Sequence, residues 1–273
     1  MSYSFIPGHM YRMPTHFGPT LGPRQGLQGK GYECRQTPHQ LIVEAAFEAD
    51  ARQLAELLPP RFEPLEPAQL VVSFAYVTEI DWLAGRGYNT FGVLFPARFE
   101  GEQGIVKGDF LAVLWENRPE PIITGREELG FSKIYCELPA LEREVGTLRC
   151  RASWEETTFA VLEVSGLAPG APVEGESDSE GLLHYKYVPR TGEWGRADAE
   201  YAVLTPAAAP NFQVLSSERG SSILSFHAAR WEALPTLYRE VSALAALRLG
   251  RCLWAQALSA RGYKDLRDQR ILR

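Results

Sequence analysis

The chain has 273 residues, 45% of them hydrophobic and 23% charged, with a formal net charge of -6. That is enough apolar material for one large folded domain, and an acidic balance argues against nucleic-acid binding through a basic surface. No apolar run is long enough to span a bilayer, and Met1 to Pro7 lacks the basic and apolar parts of a secretory signal, so a cytoplasmic protein without membrane contact is expected.

Residues 1–40 are punctuated by Gly8, Pro14, Gly18, Pro19, Gly22, Pro23, Gly26, Gly29 and Gly31. Such a segment buries no core of its own, so it reads as an extended arm whose Tyr11, Phe17 and Arg24 pack on the main body or on a neighbouring subunit. Residues 41–273 then read as a single domain. Alternation predicts a strand over 41–47, and Asp50 opens a short amphipathic helix over 49–58 that Pro59 and Pro60 stop. Runs rich in Val, Ile, Phe and Tyr predict strands over 70–77, 90–99, 107–116, 121–125 and 131–138. Residues 146–155 and 157–164 predict a hairpin turning at Glu155-Glu156, and the Gly- and Pro-rich stretch 164–181 predicts an exposed loop. Further strands are expected over 182–189 and 200–205, and a pair over 211–218 and 221–226 around Arg219-Gly220. Leu237, Val241, Leu244 and Arg248 recur at helical spacing, so a long C-terminal helix is expected within 234–262, with Gly250 as a possible interruption. The count is mostly β (α+β), and no regular strand-helix alternation suggests a doubly wound sheet.

One lysine stands out. The chain carries five lysines against twenty-three arginines, and Lys133 lies in a strand between Phe131, Ile134 and Tyr135. Arginine cannot form an imine, whereas a lysine desolvated among apolar groups holds its proton less tightly and attacks carbonyls. The alternative is a lysine that snorkels at a strand end. Cys34, Cys136, Cys150 and Cys252 show no paired spacing and read as ordinary buried thiols, with Cys136 on the strand face opposite Lys133. No metal-ligand or nucleotide-binding pattern is present, so neither metal nor cofactor is expected.

The words around Lys133 carry a resemblance. Val106-Lys107-Gly108-Asp109-Phe110, Trp115-Glu116-Asn117, Gly125-Arg126-Glu127 and Phe131-Ser132-Lys133 resemble, in order and spacing, the core of the acetoacetate decarboxylase family. Acetoacetate decarboxylase is itself a standard example of a lysine activated by its surroundings, so the low amine pKa is taken over from that example. The resemblance implies a cone-shaped β-barrel with flanking sheets, a homo-oligomer and a Schiff base on Lys133 with a small keto acid. The imine is the electron sink for decarboxylation or for aldol addition followed by dehydration. Two differences from the family pattern matter. Ile134 stands where the family has a second lysine, leaving desolvation alone to lower the pKa of Lys133. Phe74 and Thr90 stand, by ungapped matching, where it has pocket glutamates.

Around that lysine, Glu116 is expected to relay protons, or alternatively to pair with Arg118 or Arg126. Arg24 is expected to clamp a substrate carboxylate, although a solvated surface arginine is the commoner state, and Tyr76, Tyr88 and Phe131 are expected in the substrate pocket. Arg126 and Glu127 are expected to brace the lysine strand from outside the pocket. Two further readings compete with the lyase: a noncatalytic small-molecule-binding member, and a hydrolase or cyclase that forms no imine.

Overall fold

The computed structural model describes residues 5–9, 11–13, 20–22, 24–26, 29–173, 178–264 and 266–273; Phe17, expected to pack from the arm, lies outside them. Strands dominate. In chain order they are β1 (Tyr11–Arg12), β2 (Thr20–Leu21), β3 (His39–Glu48), β4 (Phe62–Pro64), β5 (Gln69–Ile80), β6 (Arg86–Gly101), β7 (Gly104–Glu116), β8 (Lys133–Tyr135), β9 (Glu142–Glu144), β10 (Thr147–Trp154), β11 (Thr157–Pro169), β12 (Gly181–Pro189), β13 (Ala197–Pro206), β14 (Gln213–Phe226), β15 (Cys252–Arg261) and β16 (Arg270–Leu272). Among the described residues three short α-helices accompany them, α1 (Ala51–Ala55), α2 (Pro119–Thr124) and α3 (Tyr238–Ala245), with a 3-10 turn over Asp81–Leu83 and a π turn over Gly125–Leu129. One mixed sheet takes fourteen of the strands in the order β16-β13-β12-β7-β6-β5-β3-β15-β14-β11-β10-β9, with β4 on β6 and β8 on β7. Its parallel pairs are β7 with β12 and β7 with β8.

The register separates two faces. Val43, Phe74, Phe91 and Trp115 are mutual partners across β3, β5, β6 and β7, and all are essentially inaccessible to solvent. Phe91 stacks on Phe74 at 4.2 Å and on Trp115 at 5.1 Å, so three rings run along one side of the sheet. Truncating such a buried ring costs about 3–5 kcal/mol. Because strand side chains alternate, the residues between these point to the other face. That face holds the cavity described below.

Several elements differ from the sequence expectations. The long C-terminal helix is absent: α3 ends at Ala245, and β15 pairs on both edges, with β3 and β14. Leu237, Val241 and Leu244 do form the buried stripe of a helix. Beyond Gly250 the small residues Ala255, Ala257 and Ala260 face closely packed neighbours, and tertiary pairing overrides their helical propensity. The hairpin expected around Arg219-Gly220 is one continuous strand, β14; a Cβ on Gly220 would lie 2.5 Å from the Ser165 carbonyl oxygen, so this glycine serves a close backbone approach rather than a turn. Residues 121–125 lie in α2 and the turn after it rather than in a strand, because Pro119 supplies a helical φ at the first turn. The expected loop at 164–181 is strand as far as Pro169.

Local signals elsewhere hold. Asp50 caps α1, its Oδ1 accepting from the backbone N–H groups of Arg52 at 2.9 Å and Gln53 at 3.3 Å. The β10–β11 hairpin turns at Glu155-Glu156 as expected. No helix among the described residues is long and apolar enough to cross a membrane.

Candidate active site

Three register rows on one face of the sheet form the floor of a cavity of about 370 Å³. Gln40, Val77 and Tyr88 make the first row, and Ile42, Ala75, Thr90 and Glu116 the second. The third runs Glu44, Ser73, Gly92, Leu114 and Lys133 across five strands. All twelve line the cavity. Arg24, Tyr32, Cys34 and Pro38 also line it, so the N-terminal segment supplies part of the wall. Phe74 belongs to the opposite face, and its neighbour Ser73 is the residue of β5 that meets the cavity here.

Lys133 is placed by the segment leading to it. α2 runs into a π turn over Gly125–Leu129, which Gly130 closes in the left-handed conformation at φ 78°. The Phe131 N–H then donates to the Gly125 carbonyl at 2.9 Å, and the chain enters β8 alongside β7. Arg126 Nη1 donates to the Lys133 carbonyl at 2.8 Å, fixing the backbone of the lysine from outside the cavity. Gly125 has a more direct duty: a Cβ there would lie 2.4 Å from Lys133 Cδ and 2.7 Å from its Nζ. The glycine is the space in which the lysine side chain lies.

Only 3% of Lys133 and 1% of Glu116 is exposed. Lys133 Nζ lies 2.8 Å from Glu116 Oε1 and donates to the Pro121 carbonyl at 3.2 Å. Burial pulls the Lys133 ammonium below its usual range; the Glu116 carboxylate opposes that shift, and the positive charge of Arg24 adds to it. Burial likewise pushes Glu116 up, against the pull of Lys133 and Arg24. Both shifts favour the same exchange: a proton passing from Lys133 to Glu116 replaces two buried charges by a free amine and a carboxylic acid. Ile134 led to the expectation that desolvation acts alone; instead Arg24, from a remote part of the chain, adds a positive charge that lowers the Lys133 pKa further.

Arg24 is 7% exposed rather than solvated, and its guanidinium lies 5.4 Å from the centre of the Trp82 ring. Among the described residues its buried Nε has no hydrogen-bond partner, and neither has Glu116 Oε2. A donor and an acceptor thus remain for a ligand in one cavity. Burial pushes the Tyr88 phenol up, with Glu116 adding to the shift and Arg24 opposing it, so its hydroxyl stays protonated. Phe131 lines the cavity and stacks at 4.4 Å on His184.

The remaining expectations sort by face and exposure. Tyr76 lies outside the cavity: it alternates with Ala75 and Val77, which do line it, and its hydroxyl is near Cys150 on the other side. Glu127 is exposed and contributes its carbonyl, which accepts from Lys186 Nζ at 2.7 Å. Cys136 is buried in the main core, away from the lysine, while Cys34 and Cys252 are partly exposed rather than buried. Among the described residues no group of His, Cys, Asp and Glu gathers as metal ligands.

Sequence reasoning missed several residues. His184 is fully buried; its Nδ1 is 3.0 Å from the Gly130 carbonyl and its Nε2 3.0 Å from Thr205 Oγ1, which also accepts from Gln269 Nε2 at 2.7 Å. Donation from Nδ1 to the carbonyl makes Nε2 the acceptor of the Thr205 hydroxyl, a neutral ring that anchors the turn before Lys133. Burial holds the His184 pKa down to about 4, against the Gly130 hydrogen bond. Glu44, Ser73 and Gln256 were missed as well, because only strand register brings them together.

Comparison with known proteins gives a consistent family. The family model described as acetoacetate decarboxylase (ADC) matches residues 12–256. A curated acetoacetate decarboxylase of Acidiphilium cryptum is 31% identical over 102 residues, 37% of this chain and 38% of the relative. Acetoacetate decarboxylase 2 of Mesorhizobium japonicum is 31% identical over 117 residues, 43% of this chain and 41% of that one. The matches therefore span well under half the length of either relative. Among solved structures, acetoacetate decarboxylase from Legionella pneumophila superposes with a TM-score of 0.63 at 19% identity, covering 88% of this chain and 86% of that one. The enduracididine biosynthesis enzyme MppR, solved with pyruvate, superposes with a TM-score of 0.64 at 17% identity, covering 91% and 95%.

Proposed function

The chain belongs to the acetoacetate decarboxylase family, and from that membership we propose that it is a lyase forming an imine between Lys133 and the carbonyl of a small keto acid. The observation that carries this reading is the buried Lys133–Glu116 pair on the cavity wall, with Nζ and Oε1 2.8 Å apart and Gly125 clearing the lysine's path. With the shared proton on Glu116, the free amine adds to the substrate carbonyl carbon; the oxygen receives that proton and a second one that Glu116 relays from the amine nitrogen, and it leaves as water. The protonated imine then draws electrons from the adjacent carbon. Glu116, whose buried Oε2 is without a hydrogen-bond partner among the described residues, takes up or delivers a proton there in this reading.

Arg24 supports one outcome over the other. Its unpartnered Nε is suited to a substrate carboxylate. A carboxylate held by a guanidinium is stabilised as the anion, which opposes its loss as CO2. Retention of that carboxylate, with an enamine adding to an aldehyde and then losing water, agrees better with Arg24 than decarboxylation does. A cavity of about 370 Å³ also leaves room for a second reactant.

The test is to incubate the protein with pyruvate and, separately, acetoacetate, to reduce with borohydride, and to map the mass increase by peptide. A pyruvate adduct on Lys133, absent from folded Lys133→Ala, is expected, without release of CO2. No adduct with either acid on folded protein would overturn the imine reading. Brisk CO2 release from acetoacetate would instead return the chain to decarboxylation.

A further inference from the structure

At the end of the register row opposite Lys133 stands a carboxylate that the imine chemistry leaves unused. Glu44 Oε1 accepts from Ser73 Oγ at 2.8 Å and Oε2 accepts from Gln256 Nε2 at 2.9 Å. Gln256, 3% exposed, is itself oriented, because its Oε1 accepts from the Val173 N–H at 2.8 Å and so turns its NH2 toward Glu44. The carboxylate is therefore aimed by two neutral donors. Among the described residues no lysine or arginine forms an ion pair with it, although it lines a largely apolar cavity. Two register rows away on the same strand, Gln40 spends its amide NH2 on the Gly262 carbonyl at 3.0 Å, leaving its Oε1 as an acceptor. This end of the cavity offers acceptors and negative charge, whereas the Arg24 and Lys133 end offers donors.

The floor between the two ends is mainly apolar. Gly92 stands between Ser73 and Leu114 in the row, and the Cδ1 methyl groups of Leu114, Leu94 and Leu111 lie 3.4, 3.4 and 3.7 Å from where its Cβ would be. Four strand spacings separate Glu44 from Lys133; at about 4.8 Å each they give an upper limit of about 19 Å along the sheet. A half-buried carboxylate held by two neutral donors on an apolar wall keeps its negative charge available to the cavity, and a ligand that brings a cation would pair with it.

We propose that Glu44 is a specificity residue that selects a reactant carrying a protonated amino group at the end remote from the reacting carbonyl. The proposal rests on the reading of Arg24 as the carboxylate anchor, but not on imine formation. It is tested by calorimetric titration of the whole protein with ω-amino carboxylates of four to eight carbons against the unsubstituted and ω-hydroxy carboxylates of equal length. At the matching length the amino acid should bind at least about tenfold tighter than both, and Glu44→Gln should erase that ratio. Equal binding of the three series would overturn the proposal, as would hydroxy acids binding as tightly as amino acids, or the ratio persisting in folded Glu44→Gln. The wild-type ratio decides the matter by itself if the variant does not fold. Pyruvate trapping separates the two readings: a lost adduct with the amino preference intact removes imine chemistry alone, and an adduct on Lys133 without the preference removes this proposal alone.

Discussion

Among single residues, Gly125 shows how a site can depend on a side chain that is not there. Its backbone is ordinary helix at φ -64° and ψ -41°, so alanine is conformationally welcome and would normally stabilise by about 0.5–1 kcal/mol. The added methyl would instead meet Lys133 Cδ, Cε and Nζ between 2.4 and 2.7 Å. The flexible lysine can yield, so Gly125→Ala should fold, while displacement of the amine should slow borohydride trapping of pyruvate by about 100-fold. The same substitution made in Lys133→Ala should raise the melting temperature, because the obstruction has gone. An unchanged trapping rate in Gly125→Ala would show that the lysine reacts from another position. The Gly-Arg-Glu word was legible in the sequence; that its glycine accommodates the lysine, and that its glutamate is exposed, was not, since both depend on the π turn after α2.

At the scale of elements, strand parity decides which residues can act. Ser73 faces the cavity and Phe74 the aromatic stack; Ala75 faces the cavity and Tyr76 does not. A match made along the sequence without the register can err by one residue and so reach the wrong face. β14 makes the related point for turns. Arg219-Gly220 has the composition of a turn, yet the glycine is there because β11 crosses close by. Gly220→Ala should therefore destabilise the fold by about 1–3 kcal/mol, seen as a lower urea midpoint with an unchanged slope. A neutral effect would mean that β11 and β14 separate more readily than their register implies. The alanines of β15 likewise show a helical preference overruled by partners that lie far away in the chain.

For the whole molecule, the buried neutral His184 links stability to pH. Its folded pKa is near 4 against an ordinary 6.5, so between those values the unfolded chain binds the proton and the native state does not. Stability from this group is thus complete above pH 6.5 and is lost as pH falls toward 4, by on the order of 3 kcal/mol. Urea unfolding at pH 7 and pH 4.5 should show this loss, and His184→Gln should show less of it. Equal pH dependence in both proteins would mean that the ring titrates normally. Because His184 holds the Gly130 carbonyl, acid should also loosen the turn that delivers Lys133.

Order and spacing along the chain were enough to single out Lys133, the family word around it, the cap at Asp50 and a mostly β fold, because those signals are local and covalent spacing preserves them. Glu116 beside the lysine was within reach for the same reason, lying on the strand that precedes it. Arg24 as a cationic neighbour, His184 as an anchor, Glu44 at the far end of the cavity and the short final helix were decided only by tertiary structure. Charge coupling, strand register and desolvation act through space, and residues more than a hundred positions apart acquire them only when the sheet forms.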